Sequence, residues 1–580
     1  MTELPERWIT DTEISPRFPY YTRANADEVG PEPFSPLGWS LGWGRGCVPG
    51  VADGFVSFGV VTLDEFALDP PEVFGNWGGY FYNQLSLPRV MGVRMPGATP
   101  EAIDQAYFGD HPGVPPYTPH PDDDNAEQAA KLEQTMGWVM STDGHPTMEE
   151  WKGKAIALRQ ARPDLSSLSD AELVERARAV AADVHQAWVP YCEICLGASL
   201  GPGAVQMVCG AIGRPEAAVQ LLAAIGGVDS AAASFAMWEL SRMVRGSDEL
   251  TAAFDAGVDG LLERLEASGA ADAVAFRSAF DKLIAEFGHR GPNEWDLGAP
   301  SWETTPSIPL GMLERLRFQS DDRAPADSTA ATVAERERLL AEISEVVAED
   351  AEALGALQAG SNSAAVFFQL RERGKNTVIM LLNEAKLTLL ELGDRMVERG
   401  AIDDRWKVFQ LLDGELDDFI AEPTKMTETL AERAAVFAEL PNRVPPYIIK
   451  LEEGVPPLHD WPVRGESDAA VATAGEVLTG AAASPGTVTG TARIVLDPFD
   501  ATALQPGDIM IAPTTDPSWT PLFLQAGAVV CNVGAIASHA AIVSRELGVP
   551  CVVSVIEATD RIPDGATITV DGAAGTVTIV

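Results

Sequence analysis

The chain has 580 residues, with 41 Lys plus Arg against 85 Asp plus Glu, and a formal net charge of −44. A surface this acidic repels phosphate backbones and anionic lipid headgroups, which argues against nucleic acid and membrane partners. Hydrophobic residues make up 46% of the chain, enough for sizeable cores, so the charge does not imply disorder. The start, MTELPERWITD, lacks a secretory pattern, and apolar runs such as 524–531 are far shorter than the roughly 20 residues of a spanning helix. We expect a soluble cytoplasmic protein of three or four domains.

Residues 1–125 are rich in Gly, Pro and aromatic residues and show little periodicity. We expect such a stretch to be ordered by the packing of its aromatic side chains rather than by long helices or strands. We expect it to form the N-terminal part of the domain that follows it.

Residues 126–440 have the periodicity of amphipathic helices. Ser169 and Glu172 form a capping box, and the apolar residues that follow recur at spacings of three and four. Similar patterns predict helices over 229–246, 249–268, 270–287, 329–357 and 362–400. The fold class predicted for this region is a large, mainly α-helical domain.

Cysteine is scarce, and only Cys192 and Cys195 form a CxxC pair. A structural zinc site usually needs two such pairs, or one pair and closely spaced His. Both cysteines fall on one predicted helix, so we favour buried small hydrophobic residues over ligands. We predict no metal site and no disulfide in this chain.

Residues 441–474 carry several Pro and mixed charge, which predicts a stiffened linker that can serve as a hinge. Residues 475–580 consist of short β-rich runs bounded by Gly, Pro and Asp, with one helix at 538–547. This pattern predicts a small, compact α/β domain after the helical one.

The segment VGAIASHAAIVSRELGVPCVV (533–553) is the clearest candidate for chemistry. A strand leads into a Gly-containing loop, Ser538 is placed to cap the helix and to contact a bound phosphate, and His539 falls in the first turn of the helix. A helix N terminus has free N–H groups and a partial positive charge, which suits an anion. His539 is therefore a candidate acceptor of a phosphoryl group, with Arg545 offsetting its charge. The alternative is a His that only caps or packs.

SHAAIVSRELGVP resembles the phosphohistidine signature of the mobile, swivelling domain of phosphoenolpyruvate-utilising enzymes. GDIMIAPTTDPSWTPLF (507–523) and SPGTVTGTARIV (484–495) also resemble that domain, and the three motifs fall in the family's order. The resemblance implies that His539 is phosphorylated. The family usually has two Gly ahead of the Ser-His pair, whereas this loop reads Val533-Gly534-Ala535-Ile536-Ala537.

A second candidate site is FGHRGPNEWDLGAPSWE (287–303), where a helix ends in a loop. His289 is placed to act as a general base on a substrate hydroxyl, and Arg290 to bind a phosphate. Glu294 or Asp296 would orient the imidazole. The alternative is a plain helix C terminus with favourably placed cations, capped by Gly291.

This string is similar to the GHR…E…D…P-x-W segment in the substrate-binding region of rifampin phosphotransferases and related two-component aryl kinases. ANADEVGPEPFSPL (24–37) and RERGKNTVIMLLNEAKLTLLELGDRMVERGAID (371–403) also look like that region. The resemblance implies that residues 1–125 and 126–440 bind the substrate. Five aromatic residues of the N-terminal part then either line an apolar pocket for a phenol or pack in the core: Trp39, Trp43, Trp77, Tyr80 and Tyr82.

Arg371, Arg373 and Lys375 concentrate three basic residues in a chain that has few. We expect them near the start of a helix, where the dipole disfavours cations, so they suggest an anionic partner such as a docked phosphohistidine. The alternative is salt bridging to nearby acidic residues.

Rifampin phosphotransferases begin with an ATP-grasp domain, but no phosphate-cradling Gly-rich loop is visible in residues 1–470. The arrangement resembles phenylphosphate synthase and alkylphenol kinases, in which one subunit binds ATP and another carries the phosphohistidine. We therefore expect a phosphotransferase subunit that takes its phosphoryl group from a separate ATP-grasp subunit holding ATP and Mg²⁺. The expected acceptor is a small aromatic or alcohol hydroxyl. The alternative is a regulatory or scaffold relative that retains the fold without catalysis.

Overall fold

The computed structural model describes residues 4–65, 72–108, 113–223, 225, 229–321, 325–464, 469–496, 498, 504–515, 519–534 and 538–580. The chain divides into two compact units. Unit 1 contains Met1–Ala198, Trp295–Ala299 and Arg373–Asp468. Unit 2 contains Ser199–Glu294, Pro300–Glu372 and Ala469–Val580.

Helices make up most of the described chain up to residue 437. The first ten are α1 Ala26–Val29, α2 Val48–Phe58, α3 Ser86–Arg94, α4 Pro100–Phe108, α5 Ala126–Ser141, α6 Pro146–Gln160, α7 Asp170–Gly197, α8 Leu200–Ala211, α9 Pro215–Leu221 and α10 Asp229–Arg245. They are followed by α11 Asp248–Asp255, α12 Leu261–Ser268, α13 Ala271–Phe287, α14 Ser307–Leu316, α15 Pro325–Val346, α16 Ala351–Glu398, α17 Leu416–Ala421, α18 Thr427–Phe437, α19 Thr520–Phe523, α20 His539–Leu547 and α21 Ala558–Arg561. A π-helix, Gly38–Cys47, precedes α2.

The strands form two sheets, one in each unit. The strands are β1 Tyr20–Thr22, β2 Phe74–Trp77, β3 Tyr80–Gln84, β4 Ile448–Lys450, β5 Val477–Thr479, β6 Ala481–Ser484, β7 Thr487–Ile494, β8 Ile509–Ala512, β9 Ala528–Cys531, β10 Cys551–Val553, β11 Thr567–Asp571 and β12 Thr576–Ile579. Unit 1 has the order β2-β3-β1-β4, and unit 2 has the order β5-β12-β11-β7-β8-β9-β10-β6. Strands β7, β8, β9 and β10 are parallel neighbours, and the other pairs are antiparallel. The predicted fold class, a large helical region followed by a small α/β domain, is confirmed.

The predicted helices differ from the observed ones at glycines and at helix ends, and the range predicted as one helix over 329–357 is divided between α15, which ends at Val346, and α16, which begins at Ala351. The capping box of Ser169 and Glu172 begins α7. The range 249–268 is two helices, α11 and α12, because Gly257 and Gly260 have φ of 94° and 64° and interrupt the helix. The range 362–400 belongs to a longer helix, α16, which starts at Ala351.

One segment, Asp170–Ala211, is long and apolar enough to cross a membrane by length and composition alone. The expectation from short apolar runs missed it, because residues 194–213 carry no charged residue although Gly, Ser, Pro and Gln interrupt their apolar side chains. Half of its most apolar window is buried inside the protein. Within α7, Cys192 is buried and its pKa is raised well above the usual range by burial, as for a packed hydrophobic residue.

The aromatic residues of the N-terminal part form the core of unit 1. Trp77, Tyr80 and Tyr82 belong to one buried cluster with Trp461. Trp39 and Trp43 are also buried and stack on each other at 5.6 Å. These side chains are therefore packed in the core of unit 1, which favours the core-packing alternative.

The predicted hinge 441–474 is shorter than expected. Its first part belongs to unit 1, because β4 pairs with β1 and the side chains of Leu458 and Trp461 are buried. Residues 465–468 lie outside the described residues. The composition rich in Pro suggested a linker, but Pro is also compatible with a strand at a sheet edge, which β4 is.

The α/β domain of unit 2 buries both faces of its sheet. On β8, Ile509 and Ile511 point into one hydrophobic cluster, and Met510 and Ala512 into another. The first cluster is internal to the α/β domain. The second joins the α/β domain to the helices of unit 2, since it also contains Phe280 and Leu313. The domain is therefore docked on helices of its own unit.

Candidate functional site

The loop between β9 and α20 brings His539 to a helix N terminus, as predicted. Ser538 is the N-cap, and its Oγ accepts a hydrogen bond from the Ala541 N–H at 3.2 Å. In the loop, Gly534 has φ 153°, and a Cβ there would lie 2.8 Å from Cβ of Val553. A side chain at this position would be strained and crowded, so the glycine is required. The predicted loop residues Ala535, Ile536 and Ala537 lie outside the described residues.

Two threonine hydroxyls flank the His539 ring. The Oγ1 of Thr515 lies 3.2 Å from Nδ1, and that of Thr520 lies 3.4 Å from Nε2. Phe523 meets the ring edge to face with centroids 6.1 Å apart. Since both ring nitrogens have a hydroxyl neighbour, the plane of the imidazole is held in one orientation. The histidine is only 3% exposed.

Arg545 lies at the other end of α20 from His539. It follows His539 by six residues, or about 9 Å along the helix axis. Its Nε donates to the carbonyl of Ala483 at 2.5 Å, and its guanidinium lies over the ring of Phe368. Burial lowers its pKa to about 10. This position does not support the predicted phosphate contact. Arg545 is on the same helix as His539, but its side chain binds the carbonyl of Ala483 near the C terminus of that helix.

Helix α20 is covered on all sides, because each of its nine residues is buried. Ile542 packs against Phe235 of α10. The carboxylate of Glu546 accepts a hydrogen bond from the N–H of Ile225 at 2.8 Å. The docked α/β domain therefore closes His539 off from solvent in this arrangement.

The GHR segment is a buried loop that starts at the end of α13. Gly288, rather than Gly291, caps the helix, and its N–H donates to the carbonyl of Ile284. Gly291 has a different role: a Cβ there would lie 2.3 Å from the carbonyl oxygen of Pro300, where the two arms of the loop meet. The arms are joined by a hydrogen bond from the Trp302 N–H to the Arg290 carbonyl at 2.8 Å.

His289, Arg290 and Glu294 all lie in unit 2 and are at most 2% exposed. Nη1 of Arg290 lies 3.7 Å from Oε1 of Glu294, so these two predicted site residues form an ion pair. Asp296 lies in unit 1, where its carboxylate accepts a hydrogen bond from the Ser35 hydroxyl at 2.7 Å. The carboxylate of Asp296 is thus held by the hydroxyl and the backbone N–H of Ser35.

Arg371, Arg373 and Lys375 lie well inside α16 rather than near its start. The expected penalty from the helix dipole therefore does not apply, since that effect is confined to the first and last turns. Arg373 forms an ion pair with Glu149 of α6, which favours the salt-bridge alternative for this residue. Arg371 belongs to unit 2 and Lys375 to unit 1.

Sequence reasoning missed Thr515, Thr520 and Ser35 as partners of the candidate residues. The two threonines stand in the recognised string GDIMIAPTTDPSWTPLF, but nothing in the pattern says which hydroxyl meets the ring. Within the described ranges, no group of three or more His, Cys, Asp or Glu is placed to hold a metal ion. An open groove along α12 and α13, lined by Leu265, Arg277 and Lys282, contains none of the predicted site residues.

Comparison with known families agrees with these two parts of the chain. Residues 195–372 match the rifampicin phosphotransferase fourth domain. Residues 504–575 match the mobile domain of PEP-utilising enzymes, which includes the Thr515, Thr520 and His539 cluster.

Three curated relatives show how far the similarity extends. An uncharacterized protein of Mycobacterium tuberculosis is 30% identical over 98% of this chain and 62% of its own length. A rifampicin phosphotransferase of Streptomyces sviceus is 27% identical over 64% of this chain and 42% of its own length. An uncharacterized phosphotransferase of Bacillus subtilis is 34% identical over 35% of this chain and 24% of its own length.

The chain spans less than two thirds of the length of these relatives. Residues 195–372 are thus similar to the rifampicin phosphotransferase fourth domain and residues 504–575 to the mobile domain of PEP-utilising enzymes, and both matches agree with the resemblance to rifampicin phosphotransferases seen in the sequence.

Proposed function

We propose that this chain is a phosphotransferase in which His539 carries a phosphoryl group to a hydroxyl acceptor. The donor is a separate ATP-grasp subunit that binds ATP and Mg²⁺, and the acceptor is a small phenol or other alcohol. The observation that carries the proposal is the imidazole in the first turn of α20, flanked by the hydroxyls of Thr515 and Thr520. The relatives named as phosphotransferases support the same class of reaction.

The first half-reaction puts the phosphoryl group on the ring. A neutral imidazole keeps a proton on one nitrogen and a lone pair on the other. The lone pair attacks phosphorus, a bond from nitrogen to phosphorus forms, and the bond from phosphorus to the donor breaks with its electron pair. The free N–H groups of the α20 N terminus favour the negative charge that arrives. Thr515 and Thr520 hold the ring in the plane that this attack needs.

The second half-reaction moves the phosphoryl group to the acceptor. The hydroxyl oxygen attacks phosphorus, the bond to the ring nitrogen breaks, and the hydroxyl proton passes to a base. A phenol has an ordinary pKa of about 10 and is mostly protonated at neutral pH, so a base assists the attack. His289 is the proposed base, and Arg290, Arg371 and Lys375 are proposed to bind phosphate oxygens.

His539 is only 3% exposed in the docked arrangement. Both half-reactions need its ring to meet another molecule, so the side chain must become accessible. The α/β domain therefore has to leave the helices of unit 2 to meet a donor. The chain passes from unit 1 to unit 2 at residues 468–469, inside the predicted hinge. We propose that this shortened hinge permits the movement.

The proposal is tested with phosphoramidate, a small donor that phosphorylates histidine without a partner protein. The full chain is incubated with it, digested, and the peptides are analysed by mass spectrometry for acid-labile phosphate. We expect phosphohistidine at His539, lost in His539→Ala. The matched control is His459→Ala, since the side chain of His459 is 55% exposed and lies in no candidate site.

The need for a partner is tested separately with labelled ATP. The chain alone is expected to take up no label, whereas the chain with an ATP-grasp protein from the same source is expected to label His539. Labelling at other histidines with His539 left unmodified under both conditions would contradict the proposal. That result would favour the scaffold alternative, in which the fold is kept for binding alone.

A further inference from the structure

Two motifs that lie 261 residues apart meet at one buried hydrogen bond in unit 1. The Ser35 hydroxyl donates to one carboxylate oxygen of Asp296 at 2.7 Å, and the Ser35 N–H donates to the other at 3.2 Å. Ser35 is 1% exposed and Asp296 is 3% exposed. The contact therefore holds both carboxylate oxygens in a place that water does not reach.

Two glycines make room for this contact. A Cβ on Gly38 would lie 1.8 Å from a carboxylate oxygen of Asp296, and a Cβ on Gly298 would lie 2.7 Å from the Ser35 hydroxyl oxygen. Neither position tolerates a side chain without displacing the serine or the carboxylate. Gly38 and Gly298 therefore leave the space that the hydrogen bond between Ser35 and Asp296 needs.

The segment Trp295–Ala299 is anchored in unit 1 by further contacts. The side chain of Leu297 is fully buried and packs where Gly42 leaves space in the π-helix. The indole N–H of Trp43 donates to the carbonyl of Trp295 at 3.2 Å. Burial raises the pKa of Asp296, and the nearby cation of Lys386 favours its charged form. Burying a carboxylate away from water costs free energy, and hydrogen bonds to its oxygens offset that cost.

We propose that Ser35 and Asp296 are positioning residues that clamp the middle of the 288–303 loop and thereby hold His289 and Arg290 in their working place. The part that concerns catalysis rests on the proposed function. His289 precedes Asp296 by seven residues and Trp302 follows it by six, so the clamp acts near the midpoint of the loop. Asp296 acts through the backbone of the loop rather than by orienting an imidazole. Ser35 is thereby assigned a role that its motif alone does not reveal.

The clamp is tested first on the chain alone, by hydrogen–deuterium exchange with mass spectrometry. Ser35→Ala and Asp296→Asn are expected to speed exchange of the 288–303 peptides by about 10-fold to 100-fold, since a hydrogen bond to a charged group is lost. The matched control is Ser40→Ala. Ser40 lies five residues after Ser35, in the π-helix Gly38–Cys47, and its hydroxyl donates to the Pro36 carbonyl and accepts from the Asp413 N–H. Unchanged exchange in both variants, or equal acceleration in the control, would overturn the clamp.

The second measurement follows loss of phosphohistidine from phosphoramidate-labelled chain after addition of phenol. We expect Ser35→Ala and Asp296→Asn to label at His539 as the wild type does but to transfer to phenol about 10-fold more slowly, with non-additive effects in the double variant. Ser35→Thr, which keeps the hydroxyl, is expected to restore most of the rate. Faster loop exchange with an unchanged transfer rate would overturn the positioning role. If the wild type shows no phosphohistidine, the proposed function fails, while the exchange experiment still decides the clamp.

Discussion

His539 and His289 are both buried at helix ends, yet their surroundings are built differently. His539 lies in the first turn of α20, where the N-cap serine and the flanking threonines belong to one α/β domain. His289 lies just past the last turn of α13, in a loop that passes through unit 1 before it returns to unit 2. The first environment is local to one domain, whereas the second depends on residues far away in sequence.

This difference explains why a short motif identifies His539, whereas the position of His289 depends on contacts with residues distant in sequence. A helix N terminus attracts an anion through its own backbone, so a short sequence specifies most of the site. A helix C terminus does the opposite, because its carbonyls favour cations. The end of α13 therefore does not by itself favour a phosphate beside His289. In our proposal, the contact between Ser35 and Asp296 holds the loop that carries His289.

The largest expected effect comes from removing the proposed base. In His289→Ala, labelling of His539 by phosphoramidate is expected to be unchanged, while transfer to phenol slows by about 10²–10⁴-fold, the usual contribution of a general base. The rates are measured as loss of phosphohistidine in a single turnover. His459→Ala is the control. Loss of labelling and transfer together would mark His289 as structural and remove the contrast between the two histidines.

The local framework of His539 is tested with Gly534→Ala. The change forces an alanine into φ 153° with its Cβ 2.8 Å from Val553, so we expect the α/β domain to lose about 1–3 kcal/mol of stability. Hydrogen exchange of peptides from β9 and β10 measures this loss. Gly475→Ala is the matched control, since Gly475 has φ 86° but no atom within 4 Å of the added Cβ. Equal effects of the two changes would show that crowding at Gly534 is unimportant.

The threonines beside His539 are expected to have a smaller effect. Thr515→Val and Thr520→Val keep the shape of the side chain and remove one hydrogen bond each, worth about 0.5–1.5 kcal/mol. We expect labelling of His539 to slow by up to about 10-fold in each variant, measured by the time course with phosphoramidate. Thr514→Val, at the neighbouring buried threonine, is the control. An effect at Thr514 as large as at Thr515 would argue for general packing instead.

The smallest effect is expected at Arg373. Its ion pair with Glu149 is partly exposed, and such pairs contribute less than about 1 kcal/mol. Arg373→Ala is expected to leave the transfer rate unchanged, whereas Arg371→Ala and Lys375→Ala are expected to slow transfer from phosphorylated His539 to phenol. A loss of transfer in Arg373→Ala equal to that in Arg371→Ala would restore all three residues to the proposed phosphate-binding set.

Sequence patterns predicted much of the local structure. The capping box at Ser169 and the apolar spacing that follows it marked α7, and the change of composition near residue 475 marked the α/β domain. These features depend on neighbours within one or two turns, which a single sequence displays. The same reasoning failed for residues 441–464, where Pro suggested a linker but Ile449 and Trp461 pack in the core of unit 1.

By itself, the sequence determined the helical and α/β parts, the N-cap of α20 and the position of His539, since periodicity, capping and composition are local properties. Tertiary structure decided the rest. It placed Arg545 against Ala483, paired Arg373 with Glu149, and joined Ser35 to Asp296. Each of these contacts is between side chains or backbone groups brought together only by folding. Burial then makes the contacts specific, because a polar group removed from water must find a partner wherever the chain supplies one.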